Sequence, residues 1–305
     1  MMPNIWTHIF FAEDVCNSLS YHVHHSPYRH VLFLGAQGPD PFFYYRFWPW
    51  YSNQTTGQEI GNALHTKECG PFLNHLIEKA QTQSDEVKIY VLGFITHHLL
   101  DRRTHPYIHY RAGYQGSKHQ KLETLIDTKW ALNTRKMEVW KHPVYEEINV
   151  GKMLPAPILY LLAESIRKCY PALSFQVKDI QIAYQDIVTA QKLFADPSGL
   201  KNKILKPFIS SYSHQPANEY IDYLNEEKTP WIHSATGEEH EESFEELYTD
   251  ALEDAVSLLP LVLDYWNEGG ESAKEQLRRR IGNISYDTGT PLVNHDINRF
   301  SVPIV

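Results

Sequence analysis

Between residues 96 and 123 the chain reads THHLLDRRTHPYIHYRAGYQGSKHQKLE, and several of its histidines and carboxylates recur at a spacing of four. His97, Asp101 and His105 form one such series, and His119 and Glu123 form another. On an α-helix, residues four apart lie above one another on a single face. The segment carrying the first series, YVLGFITHHLL, is apolar, so some of its imidazoles must face inward. Buried imidazoles beside a buried carboxylate need a partner, and a divalent cation is the natural one. One His-x3-carboxylate pair alone is an ordinary polar helix face. Two pairs with an intervening histidine describe two neighbouring helices that line a bundle interior with ligands. Pro106, directly after His105, predicts that the first helix ends there.

The rest of the chain fits such a bundle. Apolar periodicity predicts helices over 86–100, 118–136, 156–169, 179–194 and 243–266, the last with Ser243 as N-cap and Glu246 at the capping-box position. The run HVLFLG at 30–35 reads equally as a strand or as a helix closing at Gly35. Turn residues collect at 42–57, 196–203, 213–218 and 228–242, and none of these linkers forces a boundary. The expected fold is mostly α: a single-domain helical bundle with long loops over 1–305. Its metal-site half spans about 4–127, and a helical, loop-rich C-terminal half spans about 128–305.

Composition narrows the function. No apolar run is long enough for a transmembrane helix, and the opening MMPNIWTHIFFAED lacks the pattern of a secretory signal, so a cytoplasmic protein is expected. Three widely spaced cysteines predict buried thiols, not a disulfide framework or a thiolate zinc site. A net charge of −9 argues against a stable nucleic-acid partner held by bulk electrostatics. Of the 17 histidines, 12 precede residue 120, which places the chemistry in the first half.

The segment VLGFITHHLLDRRTHPYI resembles the signature of the zinc-dependent phospholipase C family, and GAQGPDPFFY, GNALHTK, KHQKLE and the early IWTH follow that family's pattern in order. The fungal single-strand-specific nucleases share the fold and the ligand order. The resemblance covers about residues 4–127. It implies that Asp40, His65, His97 and Asp101 hold a first zinc, and that His105, His119 and Glu123 hold a second. His8 and Asp101 would hold a third, with Asp101 bridging, and His98 and His109 are left as bystanders. In secreted relatives an N-terminal tryptophan completes the third ion; here Trp6 is internal, so that position stays open. Eight N/O donors over three ions leave positions for water and substrate, which favours catalysis. The donor set suits Zn²⁺ and also accepts Fe, Mn or Ni.

The implied activity is metal-dependent hydrolysis of a phosphoester, with Asp40 as ligand, general base or both, and Asp101 as the bridge. The expected substrate is a small phosphoester or a phospholipid headgroup. A related nuclease or nucleotidase, and a metal-stabilised binding protein without turnover, are the alternatives. The aromatic run after Asp40 includes Tyr44, Tyr45 and Arg46, candidates for binding a choline-type cation, lipid glycerol or nucleobase, or simply a packed loop. Arg46 and Arg111 are candidate phosphate clamps. The cluster His22, His24, His25 and His30 reads as a helix end and turn.

Overall fold

In the computed structural model, which describes residues 5–21, 23–51 and 53–305, twelve α-helices follow one another. They are α1 (Ile5–Ser18), α2 (Arg29–Gly35), α3 (Thr56–Thr66), α4 (Cys69–Ala80), α5 (Asp85–Ala112) and α6 (Lys118–Arg135), then α7 (Val144–Glu147), α8 (Ala156–Cys169), α9 (Val177–Phe194), α10 (Leu200–Ile209), α11 (Phe244–Glu268) and α12 (Glu271–Ile281). Two antiparallel two-residue strands, β1 (Trp231–Ile232) and β2 (Glu239–His240), pair Trp231 with His240. The architecture is the mostly α, single-domain bundle that the periodicity predicts. His22 lies outside the described residues.

α5 is the axis of the bundle. Val87, Tyr90, Val91, Phe94, Ile95, Leu99 and Leu100 are all buried on it, as suits a helix surrounded by others. α1, α2, α4, α6 and α11 pack against it. The 30–35 run takes the helical alternative as α2, and it crosses α5 with almost no space between backbones. A Cβ on Gly35 would come within 2.3 Å of the Tyr90 carbonyl, and one on Gly93 within 2.3 Å of the Leu32 carbonyl. This crossing presses the turn after α2, with Asp40, onto the face of α5 that carries His97.

The expected stop at Pro106 is not observed. α5 continues through the proline to Ala112, so His97, Asp101, His105 and His109 belong to one helix. Proline removes one N–H from the ladder and leaves the carbonyl four residues earlier without its helical donor. Here that carbonyl belongs to Arg102, and Gly289 packs directly on it, so closely that a Cβ there would sit 2.2 Å from the oxygen. The notch left by the proline is the docking point of a later turn, and packing overrides the local breaking tendency.

That turn belongs to residues 282–305, which run back over the bundle after α12 with little regular structure. Their backbone N–H groups bond to the first half: Tyr286 donates to the His65 carbonyl (3.0 Å), Val302 to Tyr110 (2.8 Å) and Ile304 to Arg111 (2.8 Å). α11 starts at the predicted capping box, with Ser243 and Glu246 satisfying each other's backbone donors. Cys16, Cys69 and Cys169 are free thiols.

Candidate metal centre

α1 delivers His8, and its position is fixed from α6. Helix N-termini leave their first N–H groups without intrahelical acceptors. The Trp6 N–H donates to Asp127 Oδ2 (3.1 Å), and the Thr7 N–H and hydroxyl both donate to Oδ1 (2.6 Å each). Asp127 is fully buried, and His214 Nε2 lies 2.9 Å from its Oδ2. Trp6 is thus a core residue of α1, stacked on Phe10, and its backbone nitrogen is an amide donor turned to Asp127. Asp40 opens the 3₁₀ turn Asp40–Tyr44, and His65 sits in the last turn of α3. α5 carries His97, Asp101 and His105, and α6 carries His119 and Glu123. The structure brings all eight together, each at most 6% exposed.

Asp101 is the hub. Its Oδ2 lies 2.9 Å from His97 Nε2 and 4.0 Å from His65 Nε2, and its Oδ1 lies 3.2 Å from His8 Nε2 and 3.6 Å from His105 Nε2. Asp40 reaches His65 Nε2 with Oδ1 (3.1 Å) and His97 Nε2 with Oδ2 (3.5 Å). Glu123 Oε1 lies 2.9 Å from His119 Nε2 and 3.4 Å from His105 Nε2. Donor atoms from His8, Asp40 and His97, from His65, His97 and Asp101, and from His105, His119 and Glu123 form three compact groups. His8 thus meets Asp40 and His97 as well as Asp101, its ring stacked on that of His97 at 4.2 Å.

The donors fit a cation. His65, His97 and His105 each donate Nδ1–H to a backbone carbonyl: Gly61 (2.7 Å), Ala36 (3.0 Å) and Tyr286 (3.1 Å). In a neutral imidazole that bond fixes the tautomer and leaves the Nε2 lone pair facing inward, as in metal-ligating histidines. His97 Nε2 therefore faces Asp101 Oδ2 at 2.9 Å and makes no hydrogen bond. Two facing lone pairs repel unless a positive charge sits between or beside them. Asp40 Oδ2 and Glu123 Oε2 are likewise buried without a hydrogen-bond donor. Several of the separations lie near roughly 3.3 Å, the edge of a tetrahedron whose corners stand about 2.0–2.1 Å from its centre.

The local field is strong. Burial opposes charge on His105, but Asp101, Glu123 and Asp287 outweigh it and raise the imidazole to about 10. His8 and His65 are raised in the same way, against burial, chiefly by Asp101 and Asp40 respectively. Burial would raise Glu123, yet His119 and His105 bring it down to about 2. Asp101 is held well below the ordinary carboxylate range, against burial, by His105, His97 and His8. Without a cation, protons on His8, His65 and His105 help balance the carboxylates; a cation would displace them.

Other residues sort by geometry. His98 turns away, its Nε2 donating to the Ile284 carbonyl (3.0 Å), and burial lowers it to about 3. His109, expected to be a bystander, is buried beside His105 and His119. Tyr286 is fully buried, with its ring against His65, His97 and His98. Its neighbour Asp287 lies 3.7 Å from His105 Nδ1. Sequence reasoning did not single out Asp127, set His109 aside as a bystander, and passed over Tyr286 and Asp287. The four-residue spacing extends from Glu123 to Asp127 and from His105 to His109, and that signal marks the first two. Nothing local marks Tyr286 or Asp287.

The substrate candidates are occupied in packing. The Tyr44 hydroxyl accepts from Gln191 Nε2 (2.7 Å), and the Tyr45 hydroxyl donates to Asp179 (3.0 Å). The Arg46 guanidinium lies over Tyr45 and Tyr51. Arg111 lies over Tyr110 and donates to Asn225 and Thr229 (3.4 Å each). Phe43, half-buried, is the member of the aromatic run whose ring meets a candidate ligand, His65, at 5.1 Å.

A helical bundle whose interior gathers buried groups of three or more His and carboxylate donors is built to hold metal ions. These donor clusters, together with the family match that follows, support a metal-dependent hydrolase. Residues 7–156 match the model of the family described as zinc dependent phospholipase C, which supports assigning the chain to that family. No curated protein and no solved structure matches the chain. No helix among the described residues is long and apolar enough to cross a membrane.

Proposed function

We propose that this protein hydrolyses a phosphoester, cleaving a small phosphodiester or a phospholipid headgroup in the manner of a phospholipase C. The observation that carries the reading is the set of Nε2 atoms turned inward and donor-free carboxylate oxygens around Asp101, buried together and spaced for ions. His65, His97, Asp40 and Asp101 would hold the first zinc, and His105, His119 and Glu123 the second. His8, with Asp101, would hold a third. Bound there, zinc supplies Lewis acidity toward phosphoryl oxygens and makes water a nucleophile near neutral pH.

The chain's own residues set the rest. The carbonyls of Ala36, Gly61 and Tyr286 hold three imidazoles by their Nδ1–H groups, so the rings need no reorganisation as charge develops. Asp40 Oδ2 has no hydrogen-bond donor and is the oxygen available to take a proton from attacking water. Tyr286 and Phe43 flank His65 and keep bulk water from that side. Phe43, whose ring meets His65, would be the contact for the group that departs or remains. Both halves of the chain act as one unit, because Tyr286 and His214 come from the second.

The test is zinc analysis of the purified protein, then assay against p-nitrophenyl phosphodiesters, phosphatidylcholine and single-stranded DNA. Turnover of phosphodiester or phosphatidylcholine, lost on chelation and in His97→Ala and Asp101→Asn, is expected. Turnover confined to DNA would shift the reading to a nuclease. No turnover of any substrate, with variants equal to wild type, would leave a binding protein.

A further inference from the structure

Next to the eight proposed ligands stands a set of donors that the proposed reaction does not use. His109, one turn beyond His105 on α5, is 4% exposed, and neither of its ring nitrogens has a hydrogen-bond partner. Its Nε2 faces Asp287, whose Oδ1 is 3.8 Å away, 3.7 Å from His105 Nδ1, and also without a hydrogen bond. Donor atoms of the three residues lie within 4.8 Å of one another. A hydrogen bond would draw nitrogen and oxygen to about 2.9 Å. The observed gap is too long for that and suits two donors that share a cation.

We propose that His109 and Asp287 hold a further divalent cation at the outer edge of the centre, an inference that rests on reading the inner centre as a metal site. His105 is the wall between the two. Its Nδ1–H goes to the Tyr286 carbonyl, so it serves the inner position through Nε2, and the outer ion takes its protein ligands from His109 and Asp287. Asp287 also lines a cavity of about 890 Å³ together with Lys67, Ser285, Thr288 and His295. Water from that side completes the coordination, which makes the position open and exchangeable. One imidazole and one carboxylate suit Zn²⁺ or Mn²⁺. The ion would stand where the cavity meets the centre and would offer positive charge to an anionic substrate before it reaches the inner ions.

The experiment uses the full chain and Zn²⁺ alone, with two readouts. Equilibrium dialysis across a range of free zinc counts ions per chain in wild type, His109→Gln and Asp287→Asn, with urea midpoints confirming that each variant folds. Anomalous diffraction at the zinc edge, on zinc-soaked wild-type crystals, locates the ions without any substitution. The expected result is one ion fewer per chain in each variant, the tighter inner ions retained, and an anomalous peak between His109 Nε2 and Asp287 Oδ1. Inner peaks with none between His109 and Asp287 overturn this proposal and leave the proposed function standing. A variant that loses inner zinc while wild type shows no outer peak also overturns it, since His109 and Asp287 would then be positioning residues. No zinc anywhere overturns both readings.

Discussion

Replacing Gly38 with alanine tests whether the placement of the His97 ring governs the centre. Gly38 has φ +51°, and a Cβ there would lie 2.3 Å from His97 Cδ2 and 2.5 Å from Cγ. Ordinary carbon contacts are about 3.5–4.0 Å, so the ring must move by more than ~1 Å. The backbone cost of alanine in the left-handed region is about 1–2 kcal/mol. Losing the His97 Nδ1–H bond to Ala36 adds roughly 1 kcal/mol. Gly116 is the control, with φ +58° and nothing within 4 Å of its would-be Cβ, so Gly116→Ala carries only the backbone cost. In chelator, urea unfolding should show Gly38→Ala destabilised by about 2–3 kcal/mol and Gly116→Ala by about 1–2 kcal/mol. Competition against a chromophoric chelator should show zinc affinity reduced about 10–100-fold in Gly38→Ala, as when a ligand's support is lost, and unchanged in Gly116→Ala. If the two variants match in both assays, the claim that Gly38 makes room for a ligand ring is wrong.

Other perturbations read other parts of the structure. Asp101→Asn should lower the zinc count at both positions it bridges, whereas Glu123→Gln should affect only the second; equal losses by elemental analysis would refute the hub assignment. Asp127→Asn weakens the anchoring of α1 and the partner of half-buried His214, and should cost about 2–4 kcal/mol in urea unfolding while the first zinc position still fills. A loss under about 0.5 kcal/mol would contradict the anchoring role. In chelator, stability should depend on pH through the imidazoles and Glu123. His105 is raised from 6.5 to about 10, so its contribution is complete below 6.5 and is lost as pH rises toward 10. Glu123 is lowered from 4.5 to about 2, so its contribution is complete above 4.5 and is lost as pH falls toward 2. The chelated protein should therefore have a higher urea midpoint at pH 6 than at pH 9, and excess zinc should raise the pH 9 midpoint most. Equal chelated midpoints would refute the imidazolium assignment.

What was legible in the sequence was what helices make local. His97, Asp101 and His105, and His119 with Glu123, could be grouped because four-residue spacing fixes their relation before any tertiary contact forms. Asp40, His65 and His8 have no such relation to them, and only the order of segments in the resembling family connected them. The end of α5 was misread because a proline rule is local, while the helix is held through Pro106 by Gly289, a contact spanning most of the chain. Tyr286 and Asp287 arrive on that same turn. No periodicity in the last quarter marks them, since their position depends on a fit to α5 that exists only after folding.

The continuity of α5 also makes it a ruler. Each four-residue step advances about 6 Å along the axis and turns the side chain by roughly 40°. His97, Asp101, His105 and His109 therefore form a spiral stair, each tread addressing a neighbouring position in turn. The gaps between positions are then a property of helix pitch, insensitive to side-chain identity elsewhere. Inserting a single residue between His97 and His109 would rotate every later tread by about 100° and put it out of register with its partners on the other helices. Away from its ligands and Gly93, this helix should tolerate substitution far better than it tolerates a change in length.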